Sequence, residues 1–240
     1  MIIGFSGLAG AGKDTCADST VLRHDFVKLA FADPLKRIAR EVYAFTDEQL
    51  WGPSQKRNDP DIRYPRTAEA KAWLAKHKDE FHYADPVREI LSEFAMDYPE
   101  HFLTPRHALQ QLGTEWGRAC FDDTWVKLGM RRAVELDGSF GRSYDAKLGT
   151  FLCARPKIEG VAISDVRFWN EIHAIQQAGG KVIRVKKTGA GLKDSTGALH
   201  KSEAEQAAFP DAWFDAIIVN DGTLEDLHAK VGAALTLFRS

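Results

Sequence analysis

The nine residues from Gly7 to Thr15, GLAGAGKDT, have the types and the spacing of a loop that binds phosphate groups. Gly7 and Gly12 are separated by four residues, and Lys13 follows at once. Glycines let successive backbone N–H groups turn towards phosphate oxygens, and the following helix directs its positive N-terminal end at the same anion. Lys13 can reach the β and γ phosphates as a mobile positive charge. The predicted phosphate-contacting residues are Gly7, Ala9, Gly10, Ala11, Gly12, Lys13, Asp14 and Thr15.

Asp14 departs from the usual pattern of such loops. The residue after the lysine is commonly Ser or Thr, whose hydroxyl binds magnesium, whereas here Asp14 precedes Thr15. Carboxylates suit Mg²⁺, which keeps several of its waters. We therefore predict that Asp14 is a direct or water-mediated magnesium ligand. The alternative is that an acidic residue in the first helical turn only favours the helix dipole.

The composition argues for a globular protein with a small anionic ligand. Of the 240 residues, 44% are hydrophobic and 28% are charged, and the formal net charge is −2. A protein that coats nucleic acid needs a basic excess, which this chain lacks, whereas a nucleotide needs only a local basic pocket.

Cysteine usage and hydropathy bear on the compartment. Cys16, Cys120 and Cys153 are far apart and form no CxxC pair, which argues against a zinc site and fits a reducing environment. No run of about 18 apolar residues is present, and the apolar start MIIGF is very short for a signal peptide. We expect a cytoplasmic protein without a membrane span.

Strand and helix patterns alternate near both ends of the chain. Such alternation predicts an α/β fold with a parallel sheet that helices cover on both faces. The region from 46 to 150 is rich in Trp, Arg, Tyr and Pro and is predicted to be mostly helical, and segment 138–158 to be an excursion or a short hairpin. The predicted strands are 1–7, 26–32, 160–165, 181–187 and 214–221, and the predicted helices include 13–24, 33–45, 170–180 and 222–238.

Five segments in this order resemble the bacteriophage and bacterial deoxynucleoside monophosphate kinases, a branch of the P-loop kinases. They are GLAGAGKDT, FADPLK, LQQLGTEWGR, ISDVRFWNE and ALHKSE, and the resemblance extends from Met1 to about Leu237. It implies transfer of the γ-phosphoryl group of ATP to a dNMP with Mg²⁺, on a five-stranded parallel sheet. It further implies one domain with a core of 1–33 and 159–240, a helical substrate-binding insertion of about 34–158 and a lid of about 186–203. The implied partner is a small molecule rather than nucleic acid or a membrane, and homodimer formation is open because members of the family commonly dimerise.

The resemblance also assigns roles near the transferred phosphate. Lys13, Asp165 and Arg167 would be catalytic, with Arg167 facing the phosphates. Asp14 and Asp165 would hold the metal, Asp165 through water. The alternative for Asp165 is an N-cap of the next helix. In the lid, Lys186, Lys187 and Lys193 would close over the phosphoryl group. Ser202 and Glu205 fit a helix capping box, and His200 is predicted to be structural or lid-stabilising rather than a general base.

The acceptor site is predicted mainly from basic and polar residues of the segments FADPLK and LQQLGTEWGR and of the loop between them. Lys36 and Arg118 would hold the monophosphate, and Gln111 and Thr114, near a turn at Gly113, would contact the edge of the base. At least two of the four basic residues between 56 and 66 are instead expected to be solvated loop residues. The full predicted set is Phe31, Asp33, Lys36, Arg37, Arg57, Arg63, Gln111, Thr114 and Arg118.

Two other functions remain open from the sequence. One is a P-loop kinase for another small molecule, such as a pantetheine, mevalonate or sugar phosphate. The other is a nucleotide-dependent switch, although the chain has no NKxD sequence for guanine recognition.

Overall fold

The structure is a computed structural model, and it describes residues 1–77, 99–137, 142–145, 147, 149–154, 158–191 and 201–239. The chain forms two compact units. One consists of Met1–Pro34 with Asp123–Ser240, and the other is Leu35–Asp122. His200 and Lys193, to which the sequence assigned structural and phosphate-closing roles, lie outside the described residues.

The strands, in chain order, are β1 (Ile2–Ser6), β2 (Phe26–Leu29), β3 (Asp61–Pro65), β4 (Phe102–Leu103), β5 (Arg142–Asp145), β6 (Thr150–Ala154), β7 (Gly160–Val166), β8 (Lys181–Lys186) and β9 (Ala216–Val219). The α-helices are α1 (Lys13–His24), α2 (Asp33–Tyr43), α3 (Asp47–Trp51), α4 (Ala68–His77), α5 (Pro105–Gln110), α6 (Thr124–Asp137), α7 (Trp169–Gln177), α8 (Lys201–Ala207) and α9 (Leu224–Arg239). A π-helix, Gln111–Arg118, continues α5, and short 3₁₀ helices span Ser54–Asn58, Pro99–His101 and Asp211–Trp213. Within the described part of the chain, no helix combines the length and apolar character needed to cross a membrane.

The first unit is built on a five-stranded parallel sheet in the order β2-β7-β1-β8-β9. All five residues of β1 are buried at the centre of this sheet. Successive side chains of a strand point to opposite faces, so Ile2 packs in one cluster with α6 and α7 and Ile3 in another with α1 and α9. The predicted parallel sheet covered on both faces is confirmed.

Helix α6 belongs to this first unit, although the predicted insertion included it. Four of its residues are buried in the same cluster as residues of strand β7: Val126, Met130, Ala133 and Leu136. Their i, i+4, i+7, i+10 spacing gives α6 an apolar stripe that packs in the same cluster as the sheet. The second compact unit is therefore shorter than the predicted insertion. Strands β5 and β6, within segment 138–158, pair antiparallel as a short hairpin.

The second unit has its own apolar cluster. Ala39, Phe45, Leu50 and Ala108 form its buried centre. The predicted turn at Gly113 is wrong, because Gly113 lies inside the π-helix and is buried. A Cβ at this position would meet Leu35 Cδ2 at 3.0 Å, so glycine permits close packing of the helix there.

Two other local predictions differ from the structure. Strand β2 ends at Leu29 rather than at residue 32 because Asp33 Oδ2 accepts a hydrogen bond from the Ala30 N–H (2.8 Å) and closes a turn. Ser202, the predicted cap, lies inside helix α8 (Lys201–Ala207) rather than before it, and the hydrogen bonds of the predicted capping box stay a prediction.

Candidate phosphate-binding site

The predicted phosphate-binding loop connects β1 to α1 at the carboxyl edge of the sheet. This edge is where open α/β sheets bind their ligands. The Ala11 N–H donates to the Leu8 carbonyl (3.1 Å) in a tight turn, and the Cys16 N–H donates to the Gly12 carbonyl (2.9 Å) as the first bond of the helix. The strand–loop–helix order that the sequence predicted is therefore present.

At two of its glycines, the backbone of the loop lies so close to neighbouring atoms that a side chain would not fit. A Cβ on Gly7 would lie 2.5 Å from the carbonyl oxygen of Val185, and one on Gly12 would lie 2.6 Å from Nδ2 of Asn220. Gly12 also has a φ of 101°, which non-glycine residues rarely adopt. Asn220, which follows β9, donates a hydrogen bond through Nδ2 to the Ala11 carbonyl (2.9 Å). The sequence does not indicate this contact, because 209 residues separate the two partners.

Lys13 is buried at the base of the loop. Its exposed fraction is only 7%. Burial lowers the pKa of Lys13, and the positive charge of Arg167 lowers it further, whereas Asp14, Glu203 and Asp165 act in the opposite direction. These influences show that the three predicted catalytic residues, Lys13, Asp165 and Arg167, lie together.

Asp14 faces solvent in the first turn of α1. Its side chain is 67% exposed, and Oδ1 lies 3.7 Å from Nζ of Lys28. Lys28 makes a shorter contact with Asp18, one helical turn further on, at 2.8 Å. The Asp14 carboxylate is therefore accessible to a cation, and Lys28 already provides a positive charge beside it.

Asp165 joins the ends of β7 and β2. Its two oxygens accept hydrogen bonds from the N–H groups of Phe31 (2.8 Å) and Ala32 (3.1 Å). Burial raises the pKa of Asp165 despite these two bonds, and Asp33 raises it further while Arg167 opposes the shift. The alternative prediction, that Asp165 caps the next helix, is wrong, since the cap of α7 is Phe168.

Glu171 organises the backbone around Arg167. Its buried carboxylate accepts hydrogen bonds from the N–H groups of Arg167 (2.6 Å) and Phe168 (3.0 Å) at the start of α7. Arg167 itself is exposed, and its charge is close enough to influence both Lys13 and Asp165. Its predicted contact with the phosphates stays a prediction.

Helix α8 contacts the loop through Glu203 and the neighbouring strand ends through Gln206, and the sequence did not predict either role. Glu203 Oε1 accepts a hydrogen bond from the Ala9 N–H (3.1 Å). Gln206 Nε2 donates to Ser6 Oγ (3.1 Å) and to the Val166 carbonyl (3.1 Å). The only sequence signal for either residue was the SE pair of the ALHKSE segment, which was interpreted as a helix start.

A cavity of about 460 Å³ lies beside the loop. Its wall includes Gly7 and Ala11 from the loop, Lys186 and Lys187 at the end of β8, and Val219 at the end of β9. Of the lysines that would close over the phosphoryl group, Lys186 is held by Asp211 through a contact of 2.6 Å. The cavity is of the size that small-molecule ligands occupy.

The predicted acceptor residues fall into both units, and the two in the first unit are buried. Phe31 is buried in the core, where a Cβ on Gly129 would lie 2.4 Å from its ring. Asp33 is buried and closes the turn after β2. In the second unit, the Nζ of Lys36 lies 5.7 Å from the centre of the Trp51 ring, and Arg37 lies next to it on α2. A role of these residues in substrate binding stays a prediction.

The two predicted loop arginines make contacts within the second unit. Arg57 donates to the Leu50 carbonyl (3.2 Å). Arg63 forms a two-bond pair with Asp61, with Nε to Oδ1 at 2.9 Å and Nη2 to Oδ2 at 2.6 Å. The hydrogen bonds to Asp61 raise the pKa of Arg63. A phosphate bound by Arg63 would have to compete with this carboxylate.

Gln111, Thr114 and Arg118 all lie on the π-helix. Gln111 and Thr114 are exposed and Arg118 is half-buried, while Gly113 and Gly117 are the buried residues of the same helix. A π-helix is rare and is frequently found at functional sites. The sequence motif indicated these three residues but not their π-helical conformation.

The residues around Lys13 fit a magnesium site whose remaining ligands would come from a bound nucleotide and water. Among the described residues, no group of three or more His, Cys, Asp or Glu side chains could hold a metal by itself. Asp14 nevertheless offers an exposed carboxylate, and Mg²⁺ is commonly bound through one or two carboxylates together with phosphate oxygens and water.

The five-stranded parallel sheet, the loop and the buried lysine together are consistent with a P-loop kinase fold. The chain is similar to a protein of Acanthamoeba polyphaga mimivirus named "Putative deoxynucleotide monophosphate kinase", with 26% identity over 231 residues, which are 96% of this chain and 94% of the relative. This similarity confirms the resemblance that the sequence motifs indicated, and it supports a kinase function. No family model matches the chain.

Proposed function

We propose that this protein transfers the γ-phosphoryl group of ATP to a deoxynucleoside monophosphate, giving ADP and a deoxynucleoside diphosphate. The observation that carries the proposal is the loop from Gly7 to Lys13, with its buried lysine at the carboxyl edge of the sheet. The near full-length similarity to a relative named as a deoxynucleotide monophosphate kinase supports the choice of acceptor.

The donor would bind with its phosphates in the loop and the rest of the nucleotide towards the cavity beside it. Backbone N–H groups of the loop and the N-terminal end of α1 offer hydrogen bonds and positive potential to the phosphates. Lys13 and Arg167 supply two positive charges that are close enough to influence one another. Phosphoryl transfer depends mostly on positioning and on stabilisation of charge, so no strong general base is required.

Magnesium, bound by Asp14 and through water by Asp165, would neutralise charge on the β and γ phosphates. In this proposal Asp165 has a second task, because its carboxylate also holds the backbone of Phe31 and Ala32 at the end of β2. For the acceptor, Lys36 and Arg118 would bind the monophosphate, and Gln111 and Thr114 would contact the base.

An acceptor panel tests the proposal. ADP formation from ATP is measured with each of the four dNMPs, with the corresponding NMPs, and with mevalonate, pantetheine and sugar phosphates, and the phosphorylated product is identified by mass. We expect ADP and dNDP in equal amounts with at least one dNMP, and formation of both slower by about 10²- to 10³-fold with Lys13→Met. Equal ADP formation with and without every acceptor would point to a hydrolytic switch, and a product from another acceptor would replace the dNMP assignment.

A further inference from the structure

The part of the phosphate-binding loop that leads into α1 is tied to the end of a strand that is not adjacent to β1. Asn220 follows β9, which β8 separates from β1 in the sheet. Its side-chain Nδ2 donates a hydrogen bond to the main-chain carbonyl of Ala11 (2.9 Å). Chemistry fixes the orientation of this amide, because a carbonyl needs a donor and Nδ2 is the donor of the asparagine side chain. The proposed phosphoryl transfer assigns no role to Asn220.

The backbone around Asn220 is held on both sides. The Asn220 N–H donates to the carbonyl of Lys186 at the end of β8 (2.7 Å). On the other side, Nζ of Lys230 on α9 donates to the carbonyl of Val219 (2.7 Å) and to Oδ1 of Asp221 (2.6 Å). These two residues come directly before and after Asn220. Its side chain therefore extends from a fixed point, so its hydrogen bond can hold the loop in one place.

Ala11 is also held through its other groups. Its side chain is buried and packs in one apolar cluster with Ile218 of β9 and Leu227 of α9. Its N–H donates to the carbonyl of Leu8 (3.1 Å) within the loop. Because the side chain, the N–H and the carbonyl of Ala11 all have partners, the orientation of the peptide between Ala11 and Gly12 is determined.

This peptide decides where the Gly12 N–H points. In a planar trans peptide, the carbonyl of one residue and the N–H of the next point in opposite directions. The Ala11 carbonyl is turned towards Asn220, so the Gly12 N–H is turned away from it. Loops of this kind bind phosphate through backbone N–H groups, and Gly12 is one of the predicted phosphate contacts. The hydrogen bond from Asn220 thus sets the direction of a predicted phosphate donor.

Gly12 leaves the space that this contact needs. A Cβ at this position would lie 2.6 Å from Nδ2 of Asn220 and 3.6 Å from Cδ2 of Leu227. A side chain at residue 12 would therefore have to displace the Asn220 amide from the Ala11 carbonyl. The φ of 101° independently favours glycine here. Gly12 and Asn220 are thus fitted to each other.

We propose that Asn220 is a positioning residue of the phosphate-binding loop, which directs the Gly12 N–H at the phosphates of the bound nucleotide by holding the Ala11 carbonyl. The inference rests on the proposed function only in that the loop binds the phosphates of the donor, and it holds for any acceptor. Asn220 acts through the peptide between Ala11 and Gly12 and is assigned no contact with the nucleotide.

Binding of ADP tests the proposal without turnover. The dissociation constant of ADP in the presence of magnesium is measured by calorimetry on the full chain. Asn220→Leu has nearly the size of the wild-type side chain but no donor, and we expect it to weaken ADP binding by about 3- to 10-fold, as for one misdirected hydrogen bond. Asn220→Ala should have a similar effect, and it replaces Asn220→Leu if that variant does not fold.

Thr223→Val is the matched control, because it removes a polar group from the same connection between β9 and α9. Thr223 Oγ1 accepts a hydrogen bond from the Asp226 N–H (3.2 Å) and donates to Asp226 Oδ2 (2.7 Å) at the start of α9. Its loss should lower the melting temperature and leave ADP affinity unchanged. Equal weakening of ADP binding in Thr223→Val and Asn220→Leu would reveal a general effect of stability and overturn the proposal.

The backbone amide signal of Gly12 provides a second readout. A hydrogen bond to the Ala11 carbonyl polarises the N–H of the same peptide. In ¹⁵N–¹H spectra of the chain without nucleotide, the Gly12 signal should therefore shift in both Asn220 variants and stay in place in Thr223→Val.

Two results would separate this inference from the choice of acceptor. Wild-type affinity for ADP in both folded Asn220 variants would overturn the inference, even if an acceptor panel yields a dNDP. Conversely, weaker ADP binding in these variants would support it even if no dNDP forms and the acceptor assignment fails.

Discussion

The Nζ of Lys28 lies 3.7 Å from Oδ1 of Asp14, the residue that stands where a hydroxyl usually follows the lysine of a phosphate-binding loop. Lys28 thereby supplies a positive charge beside a carboxylate that is otherwise exposed to solvent. A metal ion bound by Asp14 would meet this neighbouring charge. In the alternative, Asp14 only interacts favourably with the dipole of α1, and no metal ion binds to it.

Asp14 variants distinguish these two interpretations. If the carboxylate binds magnesium, Asp14→Ala should raise the half-saturating magnesium concentration and lower turnover, and added magnesium should partly restore the rate by mass action. Asp14→Asn should lie in between, and Asp14→Ser should retain more activity than Asp14→Ala. The matched control is Asp18→Asn, which removes a carboxylate that contacts the same lysine at 2.8 Å. Magnesium titrations at saturating ATP that are identical for Asp14→Ala and Asp18→Asn would leave only the dipole effect, about 0.3–1 kcal/mol of stability.

Lys13→Met should separate activity from stability. Loss of the charge near the transferred phosphate is expected to lower kcat by about 10²- to 10³-fold, or about 3–4 kcal/mol. Because burial lowers the pKa of Lys13 below its reference value of 10.5, the folded state binds this proton less tightly than the unfolded chain does. The charged ammonium therefore costs stability at pH 7, and the cost disappears as the pH rises through the folded pKa towards 10.5.

The melting temperature of Lys13→Met at pH 7 should accordingly equal or exceed that of the wild type. This advantage should shrink as the pH is raised towards 10, which thermal unfolding at several pH values measures. Near-normal turnover in the folded variant would remove the phosphate-loop assignment. A clear loss of stability at pH 7 would show that contacts of the lysine outweigh the cost of burying its charge.

Asp165 should matter for stability as well as for activity. Asp165→Ala leaves the N–H groups of Phe31 and Ala32 without their acceptor, at about 1–3 kcal/mol for each buried group. Asp165→Asn keeps only one oxygen, so it should lose less. Because the folded pKa is raised, ionisation of the wild-type carboxylate is less favourable in the folded protein than in the unfolded chain. Stability of the wild type relative to Asp165→Asn should thus be greatest below the reference pKa of 3.8 and decline as the pH rises above it.

Chemical unfolding of the wild type and both Asp165 variants at several pH values checks this expectation. Asp18→Asn, an exposed carboxylate in α1, is the control and should change stability little. A stability of Asp165→Ala equal to that of the wild type would show that the two hydrogen bonds contribute nothing to holding the end of β2.

Arg118 and Arg63 should behave differently although both were predicted at the acceptor site. Arg118→Ala should raise the KM for the dNMP by about 10- to 150-fold, from loss of a charge-assisted contact worth about 1.5–3 kcal/mol, and should leave the KM for ATP nearly unchanged. Arg63→Ala should instead lower stability by about 1–3 kcal/mol, because Asp61 is buried and would lose its two-bond partner. Steady-state kinetics and denaturant titrations of both variants measure the contrast, with exposed Arg131→Ala on α6 as control. Unchanged dNMP kinetics in Arg118→Ala would place the acceptor phosphate elsewhere.

The sequence by itself was sufficient for the features that depend on local chemistry. The spacing of Gly7, Gly12 and Lys13 defines the loop, because glycine conformation and helix polarity act over a few neighbouring residues. The buried strands and amphipathic helices at both ends of the chain are predictable for the same reason, since their apolar periodicity is local. Helix α1, predicted as 13–24, has these bounds in the structure.

Only the tertiary structure decided which distant residues support that loop. Glu203 and Asn220 reach it because parallel strands place their carboxyl ends at one edge, and their local sequence does not indicate these contacts. The structure likewise shows that α6 packs in the core of the first unit and that Arg63 pairs with Asp61. The sequence did not decide these contacts, because an apolar stripe or a charged side chain can pack against or pair with several different partners. The choice among those partners depends on which surfaces meet when the sheet forms, and a single sequence does not contain that information in any local pattern.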